Sequence, residues 1–233
     1  NMTIYRVPDK SRRLVIFNGI AVNKETVAEI EKLGTPSVLV VPNCCHRCCA
    51  AVWKARYPEM MVVAPESALT KTKEVVQVDM STQEWSKMDG WSKWIHTHEI
   101  DGWKRFETIL EVELDVSGTG KKALLVADLL FTMEHVGDAG MINKLLDWLF
   151  DSSITIPNDG SIIVPKVARI SRVFAIQDWS KAELWYRNFA KEHGSTIAVM
   201  VVGHGVPVIE VDKSEGCRKA LEGVADQLVK PRW

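Results

Sequence analysis

Short apolar runs alternate with amphipathic segments through the first third of the chain. Three runs predict buried strands, each ended by a turn-forming residue: Leu14–Phe17, Ser37–Val41 and Met60–Ala64. Apolar positions at helical spacing predict two helices between these strands: Lys24–Leu33 and Ala50–Tyr57. This alternation is typical of an α/β fold, in which ligands bind at the carboxyl ends of the strands.

The pattern changes after this region. Between Asp79 and Gly102 the periodicity is weak and tryptophans alternate with polar residues, which predicts a long, partly ordered excursion. Regular alternation then predicts a half-exposed antiparallel strand, Thr108–Val116, and a returning strand, Ala123–Ala127. Further elements are predicted beyond it: helices Ile142–Phe150, Trp179–His193 (with a capping box of Ser180 and Glu183) and Glu215–Val229, and a strand at Thr196–Val202. We expect one domain that spans residues 1–233.

Charge and hydropathy restrict the class of partner. The chain carries 29 basic and 30 acidic residues, a net charge of −1, which argues against a strongly electrostatic binder of nucleic acid or of a membrane surface. No apolar run approaches the roughly 18–20 residues of a membrane span. The first residues lack the features of a signal peptide. We therefore expect a cytoplasmic protein with no nucleic-acid or membrane partner.

Four of the five cysteines crowd into six residues around His46: Cys44, Cys45, Cys48 and Cys49. A disulfide framework spreads its cysteines along the chain to close loops, and this cluster does not. Three interpretations stay open: a reduced, partly buried patch, a metal site, or a thiol redox site.

Three groups of polar residues follow predicted buried strands, namely Asn43–Cys49, Asp128 and His204. On these residues the chain resembles the metallo-β-lactamase-fold superfamily, whose first motif is His-x-His-x-Asp-His-x-Gly-Gly. Without gaps, that motif falls on Asn43–Ala51, with Cys45 and Cys48 at histidine positions and Arg47 at the aspartate position. Asp128 matches the bridging aspartate, and Gly203-His204-Gly205 matches the late Gly-His-Gly.

The resemblance implies an α/β fold of the αββα sandwich type and a metal site with fewer ligands than the superfamily motif provides. The superfamily's middle histidine has no counterpart between Glu107 and Asp128, so we expect no two-metal centre. Thiolate, imidazole and carboxylate all suit zinc, and three protein ligands leave a position for water. The candidate ligands for one zinc or iron ion are Cys45, His46, Cys48, Asp128 and His204.

Two functions stay open at this stage. One is a single-metal hydrolase of a small ester, thioester or lactone, a substrate class that rests on the resemblance alone. The other is a non-catalytic descendant without metal that binds a small molecule or a protein. In that case Cys44–Cys49 packs as small apolar residues and Arg47 pairs with Asp128.

Other features have structural explanations beside functional ones. His96-Thr97-His98 with Asp101 imitates a metal motif, but its spacing is one residue too long. The tryptophans of Trp85–Trp103 either cover a core edge or form a lid on an apolar ligand. His135 is expected at the surface, and Cys217 in the core of the last helix.

Overall fold

The computed structural model describes residues 1–103, 107–115, 120–131, 176–209 and 215–229. The chain divides into two compact units, the first made of residues 1–99 and 106–125 and the second of residues 100–105 and 126–233. The predicted helix Ile142–Phe150 and His135 lie outside the described residues. The single domain over residues 1–233 stays a prediction.

A five-stranded sheet forms the framework of the first unit. Its strands, in spatial and chain order, are β1 (Thr3–Arg6), β2 (Arg13–Phe17), β3 (Thr35–Val40), β4 (Met61–Ala64) and β5 (Met80–Ser81). Strand β1 is antiparallel to β2, and the following neighbours are parallel. Parallel neighbours need crossover connections, and the predicted alternation of strand and helix supplies them.

The described residues of this unit form four helices: α1 (Lys24–Leu33), α2 (Ala50–Arg56), α3 (Glu66–Lys73) and α4 (Thr82–Trp85). Helix α1 begins where predicted because the Asn23 side chain accepts a hydrogen bond from the Thr26 amide at 2.8 Å. Apolar side chains from strands and helices form one buried cluster, whose members include Leu14, Ile16, Ile30, Leu39, Trp53 and Val62. Burial of these side chains is the main stabilising contribution in the unit.

The second sheet has five strands in the spatial order β10-β9-β8-β7-β6. They are β6 (Ile95–His98), β7 (Ile109–Glu113), β8 (Lys122–Phe131), β9 (Ile197–His204) and β10 (Val208–Ile209). The pairs β6–β7, β7–β8 and β9–β10 are antiparallel. The segment predicted as a long, partly ordered excursion contains β5, α4 and β6.

In the second unit, α5 (Trp179–His193) packs against α6 (Arg218–Val229). Asp178, and not Ser180, caps α5, because its carboxylate accepts a hydrogen bond from the Lys181 amide at 3.1 Å. Cys217 is fully buried, in agreement with its predicted core position. Among the described residues, no helix has the length and apolar character needed to cross a membrane.

Burial corrects the interpretation of two further segments. Strand β7 is not half-exposed, because both of its faces are covered and Glu111 on the polar face is 0% exposed. The tryptophans of the Trp85–Trp103 segment are buried: Trp85, Trp91, Trp94 and Trp103. This burial agrees with the alternative in which the tryptophans cover a core edge, and not with the alternative of a lid on an apolar ligand.

Candidate metal centre

Asp128 and His204 meet across the neighbouring strands β8 and β9, and both residues belong to the second unit. The His204 Nε2 atom lies 3.2 Å from Asp128 Oδ1, although 76 positions separate the two residues in the chain. Their side chains are 36% and 51% exposed, so solvent reaches both. The expected approach of these two residues is observed, whereas their role as ligands stays a prediction.

The structure differs from the sequence prediction in where these residues sit on their strands. Strand β8 does not end before Asp128 but continues to Phe131, and His204 is the last residue of β9. Gly203 allows the close approach, since a Cβ atom there would lie 2.5 Å from the Ala127 carbonyl oxygen. Gly205 then turns the chain with a φ of 112°, a conformation that favours glycine.

The donor atoms of this pair fit a metal ion of the zinc type. For a tetrahedral ion with bonds of about 2.0–2.1 Å, two ligand atoms lie about 3.3 Å apart. The 3.2 Å between His204 Nε2 and Asp128 Oδ1 agrees with that spacing. Imidazole nitrogen and carboxylate oxygen are both ordinary ligands of zinc and of iron(II). The same distance is that of an ordinary hydrogen bond between the two groups, so the spacing is compatible with two ligands of one ion, and their role as ligands stays a prediction.

The Asn43–Cys49 segment in the first unit is a tight turn between β3 and α2, and the Asn43 side chain holds it together. Asn43 Oδ1 accepts hydrogen bonds from the amides of Cys45 at 2.8 Å and His46 at 3.2 Å. Asn43 Nδ2 donates to Glu107 Oε2 at 3.0 Å, and both side chains are buried. Thr108, the next residue, donates its amide to the Pro42 carbonyl at 2.9 Å. Asn43 therefore anchors the turn, at a position where the superfamily motif has a histidine ligand.

The four clustered cysteines divide into two pairs. Cys44 and Cys49 are partly buried and pack against the apolar core of the first unit. Cys45 and Cys48 are exposed, and His46 is half-buried. The packing explanation therefore describes Cys44 and Cys49 but not the two cysteines at the histidine positions of the motif.

Arg47 stands where the superfamily has an aspartate. Its guanidinium donates a hydrogen bond to the Cys44 carbonyl, within the same turn. A guanidinium carries only donors and stays protonated, so it cannot bind a cation. This replacement removes one ligand position of a second metal ion.

A charged group that the sequence analysis did not single out lies on the second sheet, inside the first unit. Glu111 is 0% exposed, and its two oxygens contact Lys122 Nζ at 2.5 Å and His98 Nε2 at 2.9 Å. Lys122 also lies 3.3 Å from Glu113. Partial burial alone would lower the pKa of Lys122, but its ion pairs with Glu111 and Glu113 outweigh that effect and raise it. The sequence feature that could have indicated this buried group is the alternation of acidic residues along β7, next to the histidine-bearing strand β6.

Comparison with known proteins identifies the fold. No family model matches the chain, and no curated protein matches it in sequence. Among solved structures, the chain is similar to the crystal structure of DIM-1 metallo-beta-lactamase exposed to ceftazidime. The TM-score is 0.53 at 12% sequence identity, over 97% of this chain and 91% of that chain. The likeness shows the fold alone, which is the metallo-β-lactamase fold, and it confirms the predicted αββα class.

Proposed function

We propose that the protein is a hydrolase that uses one metal ion, zinc or iron, to cleave a small ester, thioester or lactone. The observation that carries the proposal is the pair of His204 Nε2 and Asp128 Oδ1, 3.2 Å apart on solvent-accessible side chains of a metallo-β-lactamase fold. The remaining ligand would come from Cys45, His46 or Cys48, the candidates that the resemblance implies.

The residues of this chain would hold and orient the ion. His204 would offer an imidazole nitrogen and Asp128 a carboxylate, whose negative charge would offset part of the charge of the ion. When bound, the ion would supply a Lewis acid and lower the pKa of a bound water towards about 7. Asn43 keeps the turn that carries Cys45 and His46 in one conformation through its hydrogen bonds to both amides.

The loss of other ligand positions supports one ion over two. Arg47 has only donor groups, and Asn43 is engaged with Glu107 and with the backbone of the turn. The same replacements favour the second candidate function, a non-catalytic protein that binds a small molecule or a protein partner. The two candidates differ in one measurable quantity, the metal content of the reduced protein.

Elemental analysis of protein purified under reducing conditions, without added metal or chelator, tests the proposal. We expect about one zinc or iron per chain in wild type and a loss of that metal in Asp128→Ala and His204→Ala. Hydrolysis of a panel of esters, thioesters and lactones should disappear in the same two variants. Matched controls are Asp226→Ala and His96→Ala, exposed residues outside the proposed ligand set, which should keep both metal and activity.

The outcomes separate the two candidate functions. A stoichiometry below about 0.1 per chain, even after zinc or iron is offered to the reduced protein, would replace the hydrolase with the non-catalytic candidate. Two metal ions per chain that both depend on Asp128 and His204 would contradict the single-ion site. Binding that weakens steeply at lower pH would agree with a thiolate or imidazole among the ligands, because these groups must lose a proton to bind.

A further inference from the structure

A cavity of about 400 Å³ lies in the first unit, between the loop that joins β1 to β2 and the chain that follows β7. Residues 7–12 form one wall of this cavity, and Leu114 and Asp115 form the other. Tyr5 joins the two walls, because its side chain is buried and its hydroxyl donates a hydrogen bond to the Glu113 carbonyl oxygen at 2.8 Å. Pockets for small molecules have volumes of about 300–1,000 Å³, so this cavity can hold a small organic ligand.

The cavity is separate from the candidate metal ligands of the same unit. The Thr108 amide, directly before β7, is bonded to Pro42 at the start of the cysteine turn, whereas Glu113 ends β7 beside the cavity. At about 3.3 Å per residue, these two ends of the strand lie roughly 16 Å apart. A small ligand in the cavity therefore contacts none of the candidate metal ligands on that turn.

Positive charge exceeds negative charge around the cavity. Its lining has three basic and two acidic residues: Arg6, Lys10, Arg12, Asp9 and Asp115. Asp9 is already compensated, because the Arg13 guanidinium lies 2.8 Å from Asp9 Oδ2. Within the part of the chain that the structure describes, Arg6 and Lys10 form no ion pair and no side-chain hydrogen bond. The cavity therefore presents two cationic groups to a ligand.

Hydrogen bonds hold the loop that carries these groups. Asp9 Oδ1 accepts a hydrogen bond from the Ser11 amide at 2.8 Å. Arg12 has a φ of 55°, in the left-handed region that is uncommon for a residue other than glycine. Its carbonyl accepts a hydrogen bond from the Thr35 amide at 2.9 Å, and its guanidinium donates to the Lys32 carbonyl in the last turn of α1. Residues held in unusual backbone conformations cluster at binding sites.

We propose that this cavity binds a small organic phosphate or phosphonate, a dianion with a short apolar part. A phosphate monoester carries a charge of about −1.5 to −2 at pH 7, which matches the two cationic groups of Arg6 and Lys10. The guanidinium of Arg6 presents a planar set of donors to the phosphate oxygens, and the ammonium of Lys10 acts as a point charge.

The apolar part of the ligand has a surface to cover. Pro8 and Leu114 both line the cavity, and Leu114 is 39% exposed, which is unusual for a large aliphatic side chain. Burial of this surface by the ligand adds a favourable contribution that inorganic phosphate lacks. The site does not depend on the proposed hydrolase, because it uses no candidate metal ligand.

The test is isothermal titration calorimetry of the reduced full-length chain with phenylphosphonate at pH 8, where this probe is a dianion that hydrolysis does not cleave. We expect one phenylphosphonate per chain. Arg6→Gln and Lys10→Gln should each weaken binding by about tenfold, because a hydrogen bond to a charged group contributes roughly that factor. Inorganic phosphate should bind at least about fivefold more weakly than phenylphosphonate.

Control variants and a second measurement locate the site. Lys24→Gln makes the same change of charge at an exposed residue beyond the other end of β2, and it should keep the wild-type affinity. Asp128→Ala and His204→Ala should also keep it, even if they abolish metal content and hydrolysis. Phenylphosphonate should shift the Leu114 methyl signals in carbon-13 NMR spectra of wild type. Circular dichroism checks the folding of each variant.

Three results would overturn the proposal. The first is a wild-type chain that does not bind phenylphosphonate at millimolar concentration. The second is an affinity that is the same in Arg6→Gln, Lys10→Gln and wild type. The third is binding that is lost in Asp128→Ala or His204→Ala and leaves the Leu114 methyl signals unchanged, which would place the probe on the proposed catalytic ligands. The hydrolase proposal is judged separately by its zinc or iron content.

Discussion

Replacement of Lys122 by Met should destabilise the protein strongly, because Lys122 compensates the buried charge of Glu111. The substitution keeps an unbranched apolar side chain and removes only the ammonium group, 2.5 Å from Glu111 Oε1. Glu111 is 0% exposed and would keep its contact with His98. Removing one partner of a buried ion pair costs about 3–5 kcal/mol. We expect a loss of about 3 kcal/mol in the free energy of unfolding at pH 7, since His98 still contacts the carboxylate.

The pH dependence gives the sharper test. Without Lys122, burial disfavours the charged form of Glu111 and raises its folded-state pKa above the unfolded value of about 4.3. Protonation at lower pH then removes the uncompensated charge, so the folded variant regains stability as pH falls towards and through that raised pKa. The difference between wild type and variant in urea denaturation should therefore be smaller at pH 5 than at pH 7.

Two controls accompany this measurement. Lys121→Met changes the exposed neighbouring lysine and should leave the free energy of unfolding within about 0.5 kcal/mol of wild type. The double variant Lys122→Met with Glu111→Leu removes both charges and should recover most of the lost stability. A loss below about 1 kcal/mol that is the same at pH 5 and pH 7 would refute the reasoning, because that is the range of an exposed ion pair.

Three further predictions concern the turns and the strand contact. Asn43→Ala removes two hydrogen bonds of the turn and one to buried Glu107, and we expect a loss of about 2–3 kcal/mol in urea denaturation. An unchanged midpoint would contradict the anchoring role. Ser81→Ala breaks the capping box of α4 and should cost about 1 kcal/mol in the same assay. Gly203→Ala places a Cβ atom 2.5 Å from a carbonyl oxygen, so the melting temperature and the metal content should fall together. The control variant Gly223→Ala, at an open helical position, should stabilise the protein by about 0.5–1 kcal/mol. Equal effects of the two glycine variants would argue against the strand contact.

The first sheet could be predicted because its strands are short apolar runs with clear ends. Strand β1 was missed, since Thr3–Arg6 mixes polar and apolar residues and is partly covered. Strand β7 was recognised, but its polar face was assigned to solvent. Alternation alone does not distinguish a solvated glutamate from Glu111, whose charge is compensated by residues on two other strands.

The candidate site was predictable in part for a similar reason. In the sequence, Asp128 and His204 each follow a predicted apolar strand, so their convergence can be predicted from the pattern, and the structure brings them within 3.2 Å. The role of Asn43 could not be read, because its partner Glu107 lies 64 positions away in the chain. The division of the cysteines into packed and exposed pairs likewise depends on which direction each side chain takes from one turn.

The anchored turn has a consequence for how ligands bind there. Loops that carry metal-binding residues commonly lose conformational entropy when they are ordered by the ligand. Here the amides of Cys45 and His46 are already bonded to Asn43, and the Thr108 amide is bonded to Pro42 on the same segment. These three amides should exchange slowly with deuterium in the metal-free protein, unlike those of an ordinary surface loop. A metal ion that binds to this turn would then meet an ordered backbone, and ordering of the chain would reduce its binding free energy only slightly.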